Sequence, residues 1–234
     1  MTLRSSIATP DGKRRYVRRL FATIADRYDL ITVLLSWGQD RRWKARLIAL
    51  AALRPGDRVL DLACGTGDLL FAAAPHAARA VGLDVTFRML QLARAKQMAP
   101  LVQGDMQALP FPAASFTVVT TGYGLRNVPD LDAALAEIHR VLEPGGRLLS
   151  LDFNRPSNGG VRRAYLAYLT VVGSAVGLAL HGDPDTYRYI PESIRAWPGA
   201  EGVARRLEQT GFGDVRVIPL LGGLMTLHTA RRVD

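Results

Sequence analysis

Three aspartates in the middle of the chain each stand at the end of a short hydrophobic run. Asp61 lies in VLDLACGTGD (residues 59–68), Asp84 ends VGLD, and Asp105 lies in QGDMQALPF. If these runs are parallel strands, their carboxyl ends meet at one edge of a sheet, which is where such sheets bind ligands. A single acid at a strand end also serves as a turn or helix cap. Three in succession favour a shared binding site.

A glycine turn, Gly65-Thr66-Gly67, follows the first of these runs. A strand, a glycine turn and a helix together hold nucleotide-like ligands. The third glycine of the dinucleotide fingerprint is missing, because Leu70 stands in its place. Asp68 falls in the first turn of the next helix, where its charge complements the helix dipole and opposes a pyrophosphate. The pattern therefore favours a cationic, phosphate-free nucleoside, which is a description of S-adenosylmethionine.

The three aspartates have separate predicted contacts with this cofactor. Asp61 is expected to hold its amino group, directly or through water. Asp84 follows Gly67 by 17 residues, close to the spacing of about 20 at which an acid binds ribose hydroxyls. Asp105 is expected to accept a hydrogen bond from the adenine amino group, with Met106 beside the ring. The sequence thus predicts one cofactor site built from three strand ends.

Short hydrophobic runs alternate with helical patterns between residues 55 and 155, which predicts βαβ units and a mostly parallel sheet. The runs are residues 59–62, 80–83, 101–102, 116–120 and 147–153. The helical patterns between them are residues 69–74, 87–98 and 131–142. LEPGG at residues 142–146 indicates a helix stop and a turn into the fifth strand. A final helix at 200–210 and two runs at 215–220 and 224–230 predict an antiparallel hairpin at the sheet edge.

Length and composition predict a single domain of 234 residues. Within it we expect a basic helical extension (1–54), a cofactor-binding core (55–155), a helical insertion on the substrate side (156–199) and a closing helix and hairpin (200–234). The 48% hydrophobic and 22% charged content is that of an ordinary soluble protein. The single cysteine, Cys64, excludes an intrachain disulfide. The first twenty residues lack a hydrophobic signal segment, so a cytoplasmic location is expected.

The positive charge is concentrated at the amino-terminal end. Net charge is +9, and residues 1–54 hold twelve Lys or Arg against four Asp. Such a segment is typical of binding to a polyanion, either nucleic acid or an anionic membrane surface, and also of a solvated basic face. Residues 13–28 have the periodicity of a basic amphipathic helix. Residues 13–27 are therefore predicted either to rest on a membrane or to form a lid over the cofactor.

A long uncharged stretch, AYLAYLTVVGSAVGLAL, occupies residues 164–180. Its 17 residues fall just short of the ~18 expected of a spanning helix, so a buried or interfacial helix is predicted. Gly173 and Gly177 have the spacing that allows close helix approach, which in a soluble protein usually means packing alone.

Several motifs carry a resemblance to a known family. DLACGTG (residues 61–67), Asp84 and GDMQALPF (104–111) resemble the motifs of class I S-adenosylmethionine-dependent methyltransferases. Four further motifs narrow the resemblance to one branch of these methyltransferases. They are YGLRNVPD (123–130), RVLEPGG (140–146), YRYIPESIRAWP (187–198) and FATIADRYDLITVLLSWGQDRRWK (21–44). Together they are similar to the ubiquinone/menaquinone biosynthesis C-methyltransferase family over about residues 15–231.

The resemblance implies a Rossmann-like class I methyltransferase fold with a mostly parallel seven-stranded sheet, an antiparallel carboxyl-terminal edge hairpin and added amino-terminal helices. It implies C-methylation of a reduced, prenylated quinone at a membrane surface. It also implies cofactor contacts at Thr66, Asp84, Asp105, Met106 and the position of Gly122.

Four places depart from the pattern of that family. The family usually has Asn at Thr32, His at Asp40, Ser at Gly122, and Glu-Phe-Ser at residues 152–154. The cofactor set is almost intact, whereas Asp40 and Asp152 are expected to border the acceptor pocket. A redirected substrate is therefore an open alternative.

Methyl transfer from a sulfonium needs no acid on the leaving group, because the departing thioether is neutral. A ring carbon becomes nucleophilic when the neighbouring hydroxyl loses its proton, so a group that favours the phenolate is needed. Arg126 is the first candidate to stabilise that oxyanion, with a structural salt bridge as its alternative. Asn127 is expected either to orient the ring or to cap a helix. The candidates for the substrate pocket are Tyr28, Asp40, Tyr123, Asp152, Tyr187, Tyr189 and His228. No histidine has metal-ligand spacing, so no metal site is predicted.

Three other functions compete with this interpretation. The chemistry could act on a soluble phenolic or polyketide acceptor, which activity restricted to prenylated rings would exclude. A nucleic-acid methyltransferase is disfavoured, because TTGYGLRN (residues 120–127) stands where an Asn/Asp-Pro-Pro-aromatic loop is expected. A noncatalytic cofactor-binding protein is disfavoured by the intact cofactor motifs. The sequence does not fix the oligomeric state.

Overall fold

A seven-stranded sheet organises the structure, a computed structural model that describes residues 3–233. The strand order is β3-β2-β1-β4-β5-β7-β6. The strands are β1 (Arg58–Leu62), β2 (Arg79–Asp84), β3 (Leu101–Gln103), β4 (Phe116–Gly122), β5 (Leu142–Phe153), β6 (Phe212–Leu220) and β7 (Met225–Arg232). The first five are parallel to one another, whereas β7 pairs antiparallel with both β5 and β6. The predicted parallel sheet and its carboxyl-terminal hairpin are confirmed.

Ten α-helices lie among residues 3–233, which are the residues described. They are α1 (Leu3–Ser6), α2 (Pro10–Ile24), α3 (Tyr28–Leu35), α4 (Asp40–Ala51), α5 (Asp68–Ala73), α6 (Phe87–Lys96), α7 (Leu131–Val141), α8 (Gly159–His181), α9 (Tyr189–Ala196) and α10 (Ala200–Gln209). Asp68 begins α5, so its predicted place in the first turn of that helix is confirmed.

The core lies on both faces of the sheet. Leu60 and Leu62 of β1 join a buried cluster with α7 and α10, while Val59 joins the cluster on the opposite face with α4 and α5. Successive side chains of a strand point to opposite faces. Because both faces are covered, the parallel strands are hydrophobic nearly throughout. That arrangement leaves the strand ends as the places where polar residues gather.

The fifth strand begins earlier than the sequence predicts. β5 starts at Leu142, and its pairing with β4 jumps from Phe116–Leu142 to Val118–Arg147. The turn predicted at residues 142–146 therefore lies inside the strand as a bulge. Gly145 has φ +76°, a conformation that glycine adopts without steric cost.

The amino-terminal segment forms several helices where one long helix was expected. The predicted helix over residues 13–28 is instead α2, which ends at Ile24, a 3₁₀ turn (Ala25–Arg27), and α3, which begins at Tyr28. Thr9 caps α2, because its hydroxyl accepts a hydrogen bond from the Gly12 amide at 3.1 Å. The break lets the segment bend over the carboxyl edge of the sheet.

Helix α8 is the one helix among the described residues that has the length and hydropathy of a membrane span. Leu166 and Leu169 bury its inner face against the rest of the chain. Gly173 and Gly177 face the segment that follows the helix: a Cβ on Gly173 would lie 3.2 Å from Tyr187 Cβ, and one on Gly177 would lie 2.5 Å from the Asp183 carbonyl oxygen. The two glycines therefore serve intramolecular packing, as predicted.

Candidate active site

The glycine turn after β1 holds two residues in the left-handed region. Gly65 has φ +55° and Gly67 has φ +92°, which side chains rarely adopt. A Cβ on Gly67 would lie 2.4 Å from the Phe71 ring. Glycine is therefore required at Gly67 by both backbone conformation and space, and the turn brings the backbone close to whatever the strand edge binds.

Asp61 is buried next to this turn, and only one of its two carboxylate oxygens has a hydrogen-bond partner among the described residues. Its Oδ1 accepts a hydrogen bond from Thr120 Oγ1 at 2.8 Å, whereas its Oδ2 is buried with no partner among the described residues. Burial raises the pKa of Asp61 to about 7. A buried carboxylate oxygen without a partner is costly unless a ligand supplies a donor. The ammonium group of an amino acid is such a donor.

Asp84 ends β2 and fixes the turn from the other side. Its Oδ2 accepts the Gly65 amide at 2.9 Å, and its Oδ1 accepts the Thr86 amide at 2.7 Å. Burial raises the pKa of the Asp84 carboxyl. Each carboxylate oxygen has two acceptor sites, so each retains one for a ligand hydroxyl. Asp84 lines the cleft at this edge, where the predicted ribose contact requires it.

Two predicted cofactor residues are engaged by the amino-terminal segment. Asp105 Oδ2 accepts a hydrogen bond from Arg14 Nε at 3.1 Å, and Thr66 Oγ1 donates to Asp29 Oδ1 at 2.6 Å. Met106 is buried beside Asp105. Sequence reasoning missed these contacts, because they join positions far apart in the chain.

The cleft that results collects the predicted cofactor residues. Its walls include Gly65, Asp84, Asp105, Met106 and Gly122. A small adjoining pocket is lined by Asp61, Gly65, Thr66 and Gly122, among others. Gly67 is not among the lining residues and instead precedes the first residue of α5.

Helix α2 covers the cofactor cleft. Val17 and Phe21 contribute to its wall. Lys13 Nζ donates to the backbone carbonyls of Arg126 at 3.1 Å and Val128 at 2.6 Å. Burial, followed by the nearby Arg126 charge, lowers the pKa of Lys13 to about 8. The lid interpretation of this helix thus has direct contacts to support it, while Arg18 and its basic neighbours remain exposed on the outer face.

A second, larger cavity of about 600 Å³ lies beside the cleft. Helices α2, α3 and α8 contribute most of its helical wall, with a smaller part from α9, and the lining is mostly apolar. Four residues line both spaces: Phe21, Tyr28, Tyr123 and Asn127. The volume lies within the range of small-molecule sites. The cleft and the cavity therefore meet at a shared wall, as a two-substrate transfer requires.

Arg126 reaches this cavity from a 3₁₀ turn (Leu125–Asn127) after β4. Its Nε pairs with Asp152 Oδ1 at 3.2 Å, its Nη1 donates to Ser193 Oγ, and its guanidinium carbon lies 4.9 Å from the Phe153 ring centroid. Arg126 and Asp152 are both nearly fully buried. The salt bridge named as the alternative role of Arg126 is present, and it holds the guanidinium rigidly at the cavity wall.

Two buried polar atoms of cavity-lining residues have no partner among the described residues. They are Asn127 Oδ1 and the Tyr189 hydroxyl. Asn127 Nδ2 donates to the Tyr123 carbonyl at 2.7 Å, which fixes the orientation of the amide. Burial raises the pKa of the Tyr189 phenol, so it stays protonated and can donate. An acceptor and a donor are therefore free for the oxygens of a phenolic ligand.

A chain of hydrogen-bonded polar side chains lies behind the residues shared by the cleft and the cavity. Asp40 and Tyr123 were predicted separately from the sequence, but the link between them was not. The Tyr123 hydroxyl donates to Asp40 Oδ1 at 2.5 Å, and Lys44 Nζ lies 2.7 Å from Asp40 Oδ2 and 2.8 Å from Asp68 Oδ2. Burial opposes the charge of Lys44, but the combined interactions with Asp40, Tyr28 and Asp68 outweigh it and raise the pKa of Lys44. The spacing of Asp40 and Lys44 at i and i+4 on one helix was the available signal.

The remaining predicted pocket residues fall in different places. Tyr187 lines the cavity, and its hydroxyl bonds with His181 Nε2 at 2.9 Å. Asp40 and Asp152 do not line the cavity themselves. Asp40 contacts the lining residue Tyr123, and Asp152 contacts the lining residue Arg126. His228 on β7 is buried with its Nε2 bonded to the Ala200 carbonyl at 3.0 Å, and it is not among the lining residues.

No group of three or more potential metal-ligating side chains occurs among the described residues. Solved structures of other proteins share this fold. A methyltransferase from Thermotoga maritima that uses S-adenosylmethionine matches with a TM-score of 0.67 and 18% identity, covering 92% of this chain and 99% of that chain. One from Mesorhizobium loti gives 0.59 and 18%, covering 82% and 98%. The unpartnered Asp61 oxygen beside the glycine turn fits the cationic amino acid end of that cofactor. The fold is thus that of class I S-adenosylmethionine-dependent methyltransferases, and the site has a place for the amino acid end of that cofactor.

Sequence comparison narrows the class. The chain belongs to the ubiE/COQ5 methyltransferase family, whose model matches residues 9–232. It is 43% identical to a demethylmenaquinone methyltransferase from Mycobacterium sp. (strain KMS) over 225 residues, 96% of this chain and 97% of the relative. It is 40% identical to the ubiquinone/menaquinone biosynthesis C-methyltransferase UbiE of Teredinibacter turnerae over 230 residues, 92% of this chain and 91% of the relative. The resemblance carried by the sequence motifs is confirmed.

Proposed function

We propose that this enzyme transfers the methyl group of S-adenosylmethionine to a ring carbon of demethylmenaquinol. The observation that carries the proposal is the apolar cavity of about 600 Å³ that shares a wall with the cofactor cleft. A flat aromatic ring with a hydrocarbon tail suits those walls. The Mycobacterium relative, matched over 96% of this chain, is named for demethylmenaquinone alone, which supports the naphthoquinol nucleus; the Teredinibacter relative is named for both ubiquinone and menaquinone.

The cofactor, when bound, supplies an electrophilic methyl group on a sulfonium and leaves as a neutral thioether. The cofactor end would be held by Asp61 at the amino group, Asp84 at the ribose and Asp105 with Met106 at the adenine. Arg14 already donates a hydrogen bond to the Asp105 carboxylate. The adenine contact therefore requires either that Asp105 binds both groups or that Arg14 moves away. The main task of the remaining residues is positioning, since an aligned pair of reactants gains several orders of magnitude in rate.

Acceptor activation rests on three residues of the cavity wall. Asn127 Oδ1 accepts a hydrogen bond from the quinol hydroxyl next to the reacting carbon and orients it. As that hydroxyl loses its proton to water, the Arg126 guanidinium stabilises the oxyanion that forms. After the ring carbon has accepted the methyl group, it loses its hydrogen to water as a proton and the oxygen is reprotonated, so the aromatic diol is restored. The Tyr189 hydroxyl donates to the second quinol oxygen. A 1,4-diol is therefore recognised at both ends, and its ring is held against Tyr28 and Tyr123.

The test is methyl transfer from labelled S-adenosylmethionine to three acceptors in detergent micelles: demethylmenaquinol, its tail-free naphthalenediol, and a ubiquinol-pathway precursor. We expect label on ring carbon, with the largest kcat/KM for demethylmenaquinol. Asn127→Ala is expected to lower kcat on the order of 100-fold. Tyr189→Phe is expected to cost about tenfold in kcat/KM.

The matched control is Tyr16→Phe, because the Tyr16 ring packs 5.5 Å from the Tyr189 ring but does not line the cavity. It should leave kcat/KM within twofold. Equal transfer to the tail-free diol and to unrelated soluble phenols would reject the quinol assignment in favour of a soluble acceptor. Transfer to nucleic acid, with none to any phenol, would reject it altogether.

We also propose that the enzyme works in the cytoplasm and collects this acceptor at the inner face of a membrane. Residues 13–27 supply an exposed basic face that includes Arg15, Arg18 and Arg19. The apolar side of α2, with Val17 and Ile24, is buried against the protein. That helix can therefore offer electrostatic attraction to anionic lipid but no apolar surface for insertion.

A further inference from the structure

The outward face of α8 is an uninterrupted apolar stripe. Six exposed residues follow one another at intervals of three and four along the helix, which places them on one side. They are Val161, Ala164, Ala167, Val171, Ala175 and Leu178. No charged residue occurs between Ala164 and Leu180. Helices on the surface of a soluble protein normally present charged or polar residues outward, so this face is suited to an apolar environment.

A second group of exposed apolar side chains lies next to the stripe. Trp37 is 75% exposed, yet its indole Nε1 donates to Tyr168 Oη on α8 at 2.8 Å. Leu34, one turn earlier on α3, is 46% exposed. Trp37 also has φ +52°, a strained conformation for a bulky residue. The chain therefore holds an indole at the surface at a conformational cost, which indicates a use for it there.

The stripe is continuous with the mouth of the acceptor cavity. Trp37, Val161, Ala164 and Leu221 are exposed and also line that cavity. Leu221, in the turn between β6 and β7, is 54% exposed. An apolar ligand could therefore pass from the surface patch into the cavity without crossing a polar rim at these positions.

The charges around this patch favour an anionic partner. Arg41 and Arg42 follow Trp37 closely, and Arg163 stands on the first turns of α8; all three are exposed. The exposed Asp183 lies beyond the other end of α8, which is about 26 Å along the helix from Ala164. The basic residues therefore border the patch at its Trp37 and Val161 end, and an anionic surface complements their charge.

We propose that the docking patch, formed by Leu34, Trp37, Leu221 and the apolar stripe of α8, rests on the surface of an anionic phospholipid bilayer. The apolar residues enter the interfacial region while the arginines contact headgroups, as in other interfacial helices. The cavity mouth then opens toward the lipid phase. This inference rests on the proposed function for the identity of the acceptor, whereas membrane binding can be measured without any methyl transfer.

The test compares two matched double variants of the full chain. Val171→Glu/Leu178→Glu alters exposed stripe residues that do not line the cavity, and Leu50→Glu/Met98→Glu alters exposed apolar residues elsewhere. Binding is measured by cosedimentation with vesicles of phosphatidylcholine alone and with about 30% phosphatidylglycerol added, which gives the vesicle surface a negative potential. Thermal unfolding confirms that both variants are folded.

We expect the wild type to bind the anionic vesicles and to bind phosphatidylcholine weakly. The stripe variant should lose at least about tenfold in partition coefficient, and the control variant should stay within twofold of wild type. Transfer to a tail-free diol should be unchanged in both. Equal binding by the two variants would overturn the proposal, as would a stable dimer of the wild type that only the stripe variant dissociates. Vesicle binding without transfer to any quinol would uphold the docking patch and reject the proposed substrate.

Discussion

The ionisation of Asp61 should control cofactor affinity near neutral pH. The buried, half-satisfied carboxyl has a pKa of about 7 in the free protein. The ammonium of S-adenosylhomocysteine binds the charged form, so the observed Kd rises by the factor 1 + 10^(pKa − pH). That factor is about tenfold larger at pH 6 than at pH 8, which corresponds to a loss of about 1 kcal/mol over this interval. We therefore expect affinity to fall about tenfold from pH 8 to pH 6.

Isothermal titration calorimetry with S-adenosylhomocysteine at pH 6, 7 and 8 measures this change. 5′-Methylthioadenosine is the control ligand: it lacks the amino acid end, so its Kd should change little over the same range. Asp61→Asn should bind S-adenosylhomocysteine weakly and with no dependence on pH. A flat pH profile for the wild type, or an equal fall for both ligands, would refute the assignment of Asp61 to the amino group.

The raised pKa of Asp61 also affects the stability of the ligand-free protein, with the opposite dependence on pH. The folded-state pKa of Asp61 is raised, so its contribution to stability is fully present below pH 4 and is lost as pH rises through about 7. A shift of about three pKa units corresponds to about 4 kcal/mol at pH 8. Asp61→Asn should therefore raise the free energy of unfolding of the ligand-free protein at pH 8 by up to that amount, as measured by urea titration. A destabilised variant would contradict this account.

Three further predictions concern the turn, the buried ion pair and a family departure. Gly67→Ala should lower stability by about 1–3 kcal/mol, because the new Cβ meets Phe71 and φ is +92°; thermal unfolding measures it, and an unchanged Tm would exclude strain at this position. Arg126→Met should destabilise by about 3–5 kcal/mol at pH 8, because it leaves Asp152 buried without its partner. Adding Asp152→Asn should recover much of that stability in urea titration while transfer activity stays absent. Gly122→Ser should be tolerated within about 1 kcal/mol, because its Cβ would lie 3.2 Å from one flexible leucine side chain; loss of folding would show that the site is tighter than this distance implies.

The sheet and its polar edge could be predicted because both are local properties of the sequence. Each strand is a short hydrophobic run, and Asp61, Asp84 and Asp105 follow runs whose order along the chain is also their order across one half of the sheet. Parallel topology then places all three at one edge without knowledge of any long-range contact. The glycine turn could also be predicted from the sequence, because its left-handed backbone conformation favours glycine.

The remainder depended on contacts between distant parts of the chain. The break of the first long helix occurs where Asp26 pairs with Arg88 at 2.5 Å and Asp29 pairs with Lys96 at 2.5 Å. Helical periodicity continues through this point, so the sequence gives no local signal for the break. His228 likewise resembled a pocket residue by type, but its register on β7 turns it toward the Ala200 carbonyl.

The wall shared by the two cavities has a thermodynamic consequence. Phe21 and Tyr28 belong to one continuous amino-terminal segment and contribute to both the cofactor cleft and the acceptor cavity. A ligand that shifts this segment in one space changes the free energy of binding in the other, and such linkage is reciprocal. If the cofactor draws Phe21 and Tyr28 into place, the acceptor binds more tightly by the same factor as the cofactor gains from the acceptor. In that case binding of the two substrates is positively cooperative, and the acceptor alone binds more weakly than it does beside the methyl donor.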